Sequence, residues 1–167
     1  MGKANYGYCC INLTLQKNHD IKIGRSMIKR TFTAKGIKYA GELAEANVRD
    51  LIEIIKWNHK QGINVYRMSS SMFPWMSEYE LTDLPNWQTI SNLLKGAGTL
   101  VQKYGQRVGF HPGQFCVLPS PTPKVVTSAI RELDQSALIL DSMGLPQNHT
   151  YSMNIHVGGS YGDKDAA

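Results

Sequence analysis

The stretch Arg107-Val108-Gly109-Phe110-His111-Pro112-Gly113-Gln114-Phe115 decides how the whole chain folds. Its apolar run predicts a strand that ends on His111. Pro112-Gly113 then predicts a turn, which places Gln114 and Phe115 on the loop beyond the strand. In α/β enzymes with parallel strands, chemistry is placed at the C-terminal ends of the strands. His111 is therefore a candidate functional residue.

A second histidine follows a strand in the same way. The alternating run Tyr151-Ser152-Met153-Asn154-Ile155 predicts a strand that ends on His156 and breaks at Gly158-Gly159. A single histidine in an apolar setting is more often a hydrogen-bonded core residue than a ligand. Two at equivalent ends of consecutive strands converge on one pocket, and neutral imidazole is a common metal ligand. We therefore predict that His111 and His156 bind a metal ion, and we interpret the other three histidines as structural.

Strands and amphipathic helices alternate along the chain. Strands are predicted over residues 6–15 and 63–68, and stripes of apolar residues predict helices over 42–59 and 87–104. A third helix is predicted to begin at Thr122-Pro123, a hydroxyl cap followed by proline at the first helical position. The strand ends at Arg67, His111 and His156 lie about 44 residues apart, which indicates parallel strands with right-handed crossovers. The expected fold class is α/β with about four parallel strands. A complete (β/α)8 barrel takes about 250 residues, so 167 residues allow about half of one.

Positive charge is concentrated before the first long helix. The formal net charge is +5 and the pI is about 9.1. We predict a long loop over residues 16–38 that holds a single acid, Asp20, and suits a polyanion such as DNA. An ordinary solvated loop is the alternative. The basic residues of this stretch are Lys17, Lys22, Arg25, Lys29, Arg30, Lys35 and Lys38.

Two further features stand next to predicted strand ends. Glu78, after the second strand, offers an oxygen ligand for a metal ion, although a solitary surface acid is the alternative. Gln114 and Phe115 combine an amide with an aromatic ring, a pair that can wedge into a DNA stack and hydrogen-bond a base edge. The alternative is that Phe115 packs beneath the loop.

The cysteines and the hydropathy of the sequence indicate the cellular compartment. The three cysteines, Cys9, Cys10 and Cys116, are odd in number and form no paired zinc motif, so we expect reduced thiols. No leader peptide opens the chain, and no apolar run approaches the roughly 20 residues of a spanning helix. The expectation is a soluble cytoplasmic protein.

Four motifs in order along the chain resemble the UV damage endonuclease family. Together they are far more specific than any one alone. They are Gly7-Tyr8-Cys9-Cys10-Ile11-Asn12-Leu13-Thr14-Leu15, Tyr66-Arg67-Met68-Ser69-Ser70, Phe110-His111-Pro112-Gly113-Gln114-Phe115 and Asn154-Ile155-His156-Val157-Gly158-Gly159-Ser160-Tyr161-Gly162.

The resemblance implies residues 1–167 as the N-terminal part of a single TIM-barrel domain related to endonuclease IV. It implies a monomer that carries divalent metal ions, usually Mn²⁺ with Mg²⁺ or Zn²⁺ as alternatives, and that associates with nucleoid or host-cell DNA. Its partner would be damaged duplex DNA, hydrolysed 5′ to UV photoproducts and other distorting lesions.

The resemblance also assigns residues. His111 and His156 match metal ligands, and Glu78 stands where many relatives have a histidine ligand. Gln114 and Phe115 match the pair that probes the helix opposite the lesion. Tyr8 and Asn12 match residues near the lesion and the catalytic site.

Family ligands from later strands have no counterpart here and would lie beyond Ala167. We therefore expect the 167-residue chain alone to be inactive. Two other functions stay open, namely a sugar isomerase-like metal enzyme on the same barrel and a DNA-binding fragment without catalysis.

Overall fold

A computed structural model describes residues 5–157 of the chain. In chain order the elements are β1 (Gly7–Cys9), α1 (Leu13–His19), α2 (Lys29–Lys60), β2 (Val65–Ser69), α3 (Trp87–Lys103), β3 (Arg107–His111) and α4 (Pro123–Ser142). Three single-turn 3-10 helices, Ser70–Met72, Met76–Glu78 and Leu81–Asp83, fill the connection between β2 and α3.

The three strands form one parallel sheet in the order β1-β2-β3. The register pairs Cys9 with Arg67 and Ser69 with His111. The C-terminal ends of all three strands therefore lie at one edge of the sheet. This confirms the predicted α/β class and the parallel pairing.

The two faces of the sheet have different environments. Tyr66, Met68 and Phe110 are at most 1% exposed and belong to the core cluster with α2 and α3. Because successive strand residues point to opposite faces, Arg67 and His111 lie on the face turned away from the helices. That face corresponds to the interior of a (β/α)8 barrel.

The helices bury the apolar stripes that the sequence predicts. Leu51 and Ile55 of α2 and Leu94 of α3 are fully buried, and burial of each such side chain contributes roughly 1.5–3 kcal/mol. Gly98 permits the close approach of α3 to the end of α4, since a Cβ there would lie 1.8 Å from the carbonyl oxygen of Met143. None of the helices in residues 5–157 has the length and apolar character needed to cross a membrane.

The predicted strand over residues 6–15 is wrong beyond Cys9. Cys10 has a left-handed backbone with φ of 61°, which ends β1 and reverses the chain. Asn12 then caps α1, its Oδ1 accepting a hydrogen bond from the backbone N–H of Leu15 at 2.9 Å. The alternation of apolar residues predicted a strand, but the Asn12 side chain caps the first turn of a helix and stabilises that helix instead.

The predicted loop over residues 16–38 is wrong over most of its length. Residues up to His19 belong to α1, and α2 begins at Lys29 and continues to Lys60. Gly36 interrupts α2 with φ of 64° and ψ of −164°, so the helix is kinked there. Only residues 20–28 form a true connection.

The predicted strand that ends on His156 lies beside β3 but is not continuous. Phe110 forms a parallel bridge with Met153, and its backbone N–H donates to the carbonyl of Ser152 at 3.1 Å. His156 then forms a parallel bridge with Val117 in the loop after β3, so the segment pairs at isolated positions and not as a continuous strand. The predicted break at Gly158-Gly159 and the motif end from Ser160 to Gly162 lie outside the described residues.

Candidate metal and nucleic acid site

The two strand-end histidines come together at the C-terminal edge of the sheet. The ring centres of His111 and His156 are 5.5 Å apart, and the ring planes meet at 79°. The Nε2 of His156 lies 3.4 Å from the carbonyl oxygen of Pro112. Both side chains are half-buried.

The two imidazole rings are suitable metal ligands by their chemistry, but two ligands are an incomplete set. Imidazole nitrogens bind zinc at about 2.0–2.1 Å, and rings this close can approach one ion. Within residues 5–157, no group of three or more His, Cys, Asp or Glu side chains is arranged to hold a metal ion. The described residues therefore offer two donors for a site that needs more.

Glu78 is not brought to the two histidines. It lies in the 3-10 turn Met76–Glu78, and its Oε1 is 3.8 Å from Lys29 Nζ. Its side chain is 45% exposed. Because the carboxylate faces a lysine and forms no three-ligand cluster with the histidines, the geometry does not support Glu78 as the third ligand.

Gln114 and Phe115 project from the loop that follows β3. Phe115 is 81% exposed, and Gln114 is also exposed. The alternative in which Phe115 packs beneath the loop is wrong. The tight turn beneath them is closed by a hydrogen bond from the backbone N–H of Cys116 to the carbonyl of Gly113, at 2.9 Å.

Tyr8 and Asn12 form a hydrogen-bonded network between β1 and the helices. The hydroxyl of Tyr8 donates to Oδ1 of Asn58 in α2 at 2.8 Å and accepts from Nδ2 of Asn12 at 2.7 Å. Burial raises the pKa of the Tyr8 hydroxyl, although the hydrogen bonds with Asn12 and Asn58 oppose the shift. Both side chains therefore stabilise the turn after β1, and any catalytic role of theirs stays a prediction.

Among the basic residues predicted to contact DNA, Arg25, Lys29 and Arg30 differ in their availability. Arg25 is engaged internally, with Nη1 2.7 Å from Asp50 Oδ2 and also donating to the carbonyl of Lys22 at 2.7 Å. Lys29 is 64% exposed and lies 5.1 Å from the ring centre of Trp75. Lys29 contacts Glu78 and Trp75 in the connection that follows β2, so Lys29 and the adjacent exposed Arg30 lie near the C-terminal ends of the strands. The geometry thus favours Lys29 and Arg30 over Arg25 for contact with phosphates.

Two residues that support this edge were not predicted from the sequence. Asn47 of α2 is fully buried, and its amide bonds the backbone of Arg25 and of Met72, joining the two loops on either side. Glu132 of α4 accepts a hydrogen bond from the N–H of Gly113 at 2.6 Å. The detectable signal for Asn47 was a polar residue within the apolar stripe of a helix.

A cleft of about 210 Å³ opens beside the loop after β3. It is lined by hydroxyl, aromatic and carboxylate groups from the connections after β2 and β3 and from α4. Its lining includes Ser70, Ser71, Trp75, Gly113 and Glu132.

These features define a class of protein. A parallel sheet backed by helices, with candidate ligands and a projecting aromatic residue at the C-terminal edge, is typical of enzymes built on (β/α)8 barrels. The crystal structure of SacUVDE has the same fold over 98% of this chain and 52% of that chain, with a TM-score of 0.82 and 28% sequence identity. The chain therefore has the fold of part of a TIM barrel.

The chain belongs to the UV-endonuclease UvdE family, whose model matches residues 4–167. A UV-damage endonuclease of Neurospora crassa is 38% identical over 157 residues, which cover 90% of this chain and 23% of that protein. The UV-damage endonuclease of Schizosaccharomyces pombe is 34% identical over 167 residues, 97% of this chain and 27% of that protein.

A relative from Acanthamoeba polyphaga mimivirus is 36% identical over 160 residues, 95% of this chain and 48% of that protein. The chain thus spans about half of the mimivirus relative and about a quarter of each of the two fungal relatives.

Proposed function

We propose that this chain is the N-terminal part of a metal-dependent DNA repair endonuclease that hydrolyses the phosphodiester 5′ to UV photoproducts and other distorting lesions. The observation that carries the proposal is the meeting of His111 and His156, with ring centres 5.5 Å apart, beside the loop that carries the exposed Phe115. Family membership supports the same assignment.

In this proposal His111 and His156 hold a divalent ion, Mn²⁺ as the family resemblance implies. The remaining ligands come from outside the described residues. If bound there, such an ion would polarise a scissile phosphate and lower the pKa of a bound water. Because two imidazoles alone suit Zn²⁺ better than Mn²⁺ or Mg²⁺, the metal preference depends on the other donors.

The chain's own residues would bind and orient the DNA. Lys29 and Arg30 neutralise backbone phosphates, which gives affinity that falls steeply with salt and has little dependence on sequence. Phe115 enters the stack while the amide of Gln114 bonds a base edge, and distorted duplex is favoured because its bases cost less to unstack.

The test is nicking of UV-irradiated plasmid in Mn²⁺ by the protein expressed from its complete coding sequence. His111→Ala is expected to reduce nicking on the order of 100-fold or more, since a metal ligand is removed. His149→Ala is the matched control, because His149 is exposed in the loop between α4 and the segment that bridges to β3. Equal nicking by the two variants would remove the metal assignment.

The same preparation separates the other functions. Turnover of a free aldose sugar in place of nicking would support the isomerase alternative. Salt-sensitive binding of irradiated duplex without nicking and without bound metal would indicate a binding fragment. That outcome has a specific structural basis, because residues 5–157 contain no three-ligand cluster.

A further inference from the structure

The loop that carries Gln114 and Phe115 is fixed to α4 at two points. The carboxylate of Glu132 accepts a hydrogen bond from the N–H of Gly113 at 2.6 Å. The thiol of Cys116, which is 1% exposed, donates to the carbonyl of Ala129 at 3.5 Å. Residues 129 and 132 are three apart and so lie on one face of α4.

The two residues between these anchors are the ones that project. Gly113 and Cys116 also close the turn between themselves through their backbone groups. Val117 is held on the other side by its bridge to His156. The exposed ring of Phe115 is thus carried by a turn that is fastened before and after it.

Glu132 is well suited to this role. A carboxylate that accepts from a backbone N–H forms a short hydrogen bond that is stronger than a neutral one. Within residues 5–157 the Glu132 carboxylate has no cationic partner within 4 Å, whereas its neighbour Arg131 lies 3.4 Å from Glu80. The fit is close, since a Cβ on Gly113 would lie 2.9 Å from Glu132 Oε1.

We propose that Glu132 is a positioning residue for lesion recognition, which holds the loop so that Gln114 and Phe115 meet the DNA in one fixed orientation. This inference rests on the proposed function, because it deepens the role of the pair that reads the duplex. Without the carboxylate, the turn loses its anchor at Gly113 and the ring of Phe115 samples more orientations.

The test compares Glu132→Ala, Glu132→Gln and Asp134→Ala. The quantity measured is the ratio of Kd values for undamaged duplex and for duplex with one photoproduct. Glu132→Ala is expected to lower this ratio on the order of tenfold, the effect of losing one charge-assisted hydrogen bond. Glu132→Gln keeps an oxygen acceptor and is expected to restore most of the ratio. Asp134→Ala removes the same charge from an exposed position of α4 and should leave the ratio unchanged.

Gly113→Ala gives a second route to the same perturbation. Its methyl group displaces the carboxylate, so it should lower the ratio as Glu132→Ala does, and combining the two should add little. The Gly113 amide proton provides a readout independent of DNA. Its chemical shift should move upfield in Glu132→Ala and stay near the wild-type value in Glu132→Gln.

The outcomes distinguish the two proposals. If wild-type protein does not prefer damaged duplex, the proposed function fails, whatever the Gly113 resonance does. If wild type discriminates, and Glu132→Ala and Gly113→Ala discriminate as well as Asp134→Ala, the positioning role of Glu132 is refuted. Should Glu132→Ala fail to fold, the Gly113→Ala result decides by the same criterion.

Discussion

Replacement of Asn47 by alanine should loosen the C-terminal edge of the sheet without touching the site itself. Its Oδ1 accepts from the N–H of Arg25 at 3.0 Å, and its Nδ2 donates to the carbonyls of Arg25 and Met72, each at 3.0 Å. Three net hydrogen bonds at about 1 kcal/mol each are lost. Alanine regains roughly 0.6 kcal/mol of helix propensity, so the free energy of unfolding should fall by about 2.5 kcal/mol.

Urea denaturation measures this change, and Asn92→Ala is the matched control. Asn92 is an exposed residue of α3 whose side chain accepts only from Gln88 at 3.3 Å, so its replacement should be neutral or slightly stabilising. Hydrogen exchange adds a local measure, since the Arg25 amide should exchange much faster in Asn47→Ala. If the two variants unfold within about 0.5 kcal/mol of each other, a spread typical of neutral surface changes, Asn47 does not hold the loops together.

Four further predictions concern charge, recognition and thiol chemistry. Arg25→Ala should destabilise the fold by about 2 kcal/mol through loss of its half-buried pair with an aspartate and leave the salt dependence of DNA binding unchanged. Lys29→Ala should leave stability unchanged but reduce the slope of log K against log salt by about 1. Phe115→Ala should reduce preference for damaged over undamaged duplex on the order of tenfold while metal affinity, measured by titration, stays constant. Burial raises the pKa of the Cys116 thiol to about 11, so little thiolate forms at pH 8. A thiol reagent should therefore modify the exposed Cys9 before Cys116. Equal labelling of the two cysteines, measured by mass spectrometry, would contradict this prediction.

The elements predicted best were those whose signals are local. Gly62, Gly105 and Gly144 follow α2, α3 and α4 and adopt φ of 69°, 61° and 67°, the left-handed conformation that ends helices. Thr122-Pro123 marks the start of α4 as the sequence predicts, although the Thr122 side chain forms no capping hydrogen bond. Each of these is decided by one or two residues and their own backbone preferences, so no tertiary information is required.

The N-terminal region was predicted poorly because two local signals compete there. Ile11, Leu13 and Leu15 alternate as in a strand, yet Leu13 is 72% exposed and Leu15 is 4% exposed in a helix. Alternation over three positions does not separate a short helix from a strand when a capping residue stands between them. The helix across Gly36 was missed for the opposite reason, because a glycine that bends a helix and one that ends it have the same sequence signal.

The parts of the site that were missed depend on contacts between distant residues. Asn47 meets the loop carbonyl of Met72 across 25 positions, and Glu132 meets Gly113 across 19. Sequence reasoning found the side chains that face a ligand, because strand ends and turns identify them. It did not find Asn47 and Glu132, which hydrogen-bond the loops that carry those side chains. The sequence around an asparagine or a glutamate on a helix does not indicate which distant backbone group it will bond.

The convergence of His111 and His156 follows from strand pairing and is independent of family likeness. Alternation turns Phe110 toward the helices and His111 away from them, and the bridge between Met153 and Phe110 brings the next segment alongside. The bridge between Val117 and His156 then places the second ring beside the loop that carries Phe115. One short segment after β3 therefore determines the position of both a candidate ligand and the aromatic ring that would read the duplex. In the proposed function, movement of this loop would change the distance between the metal ion and the lesion, and the contacts of α4 with Gly113 and Cys116 would limit that movement.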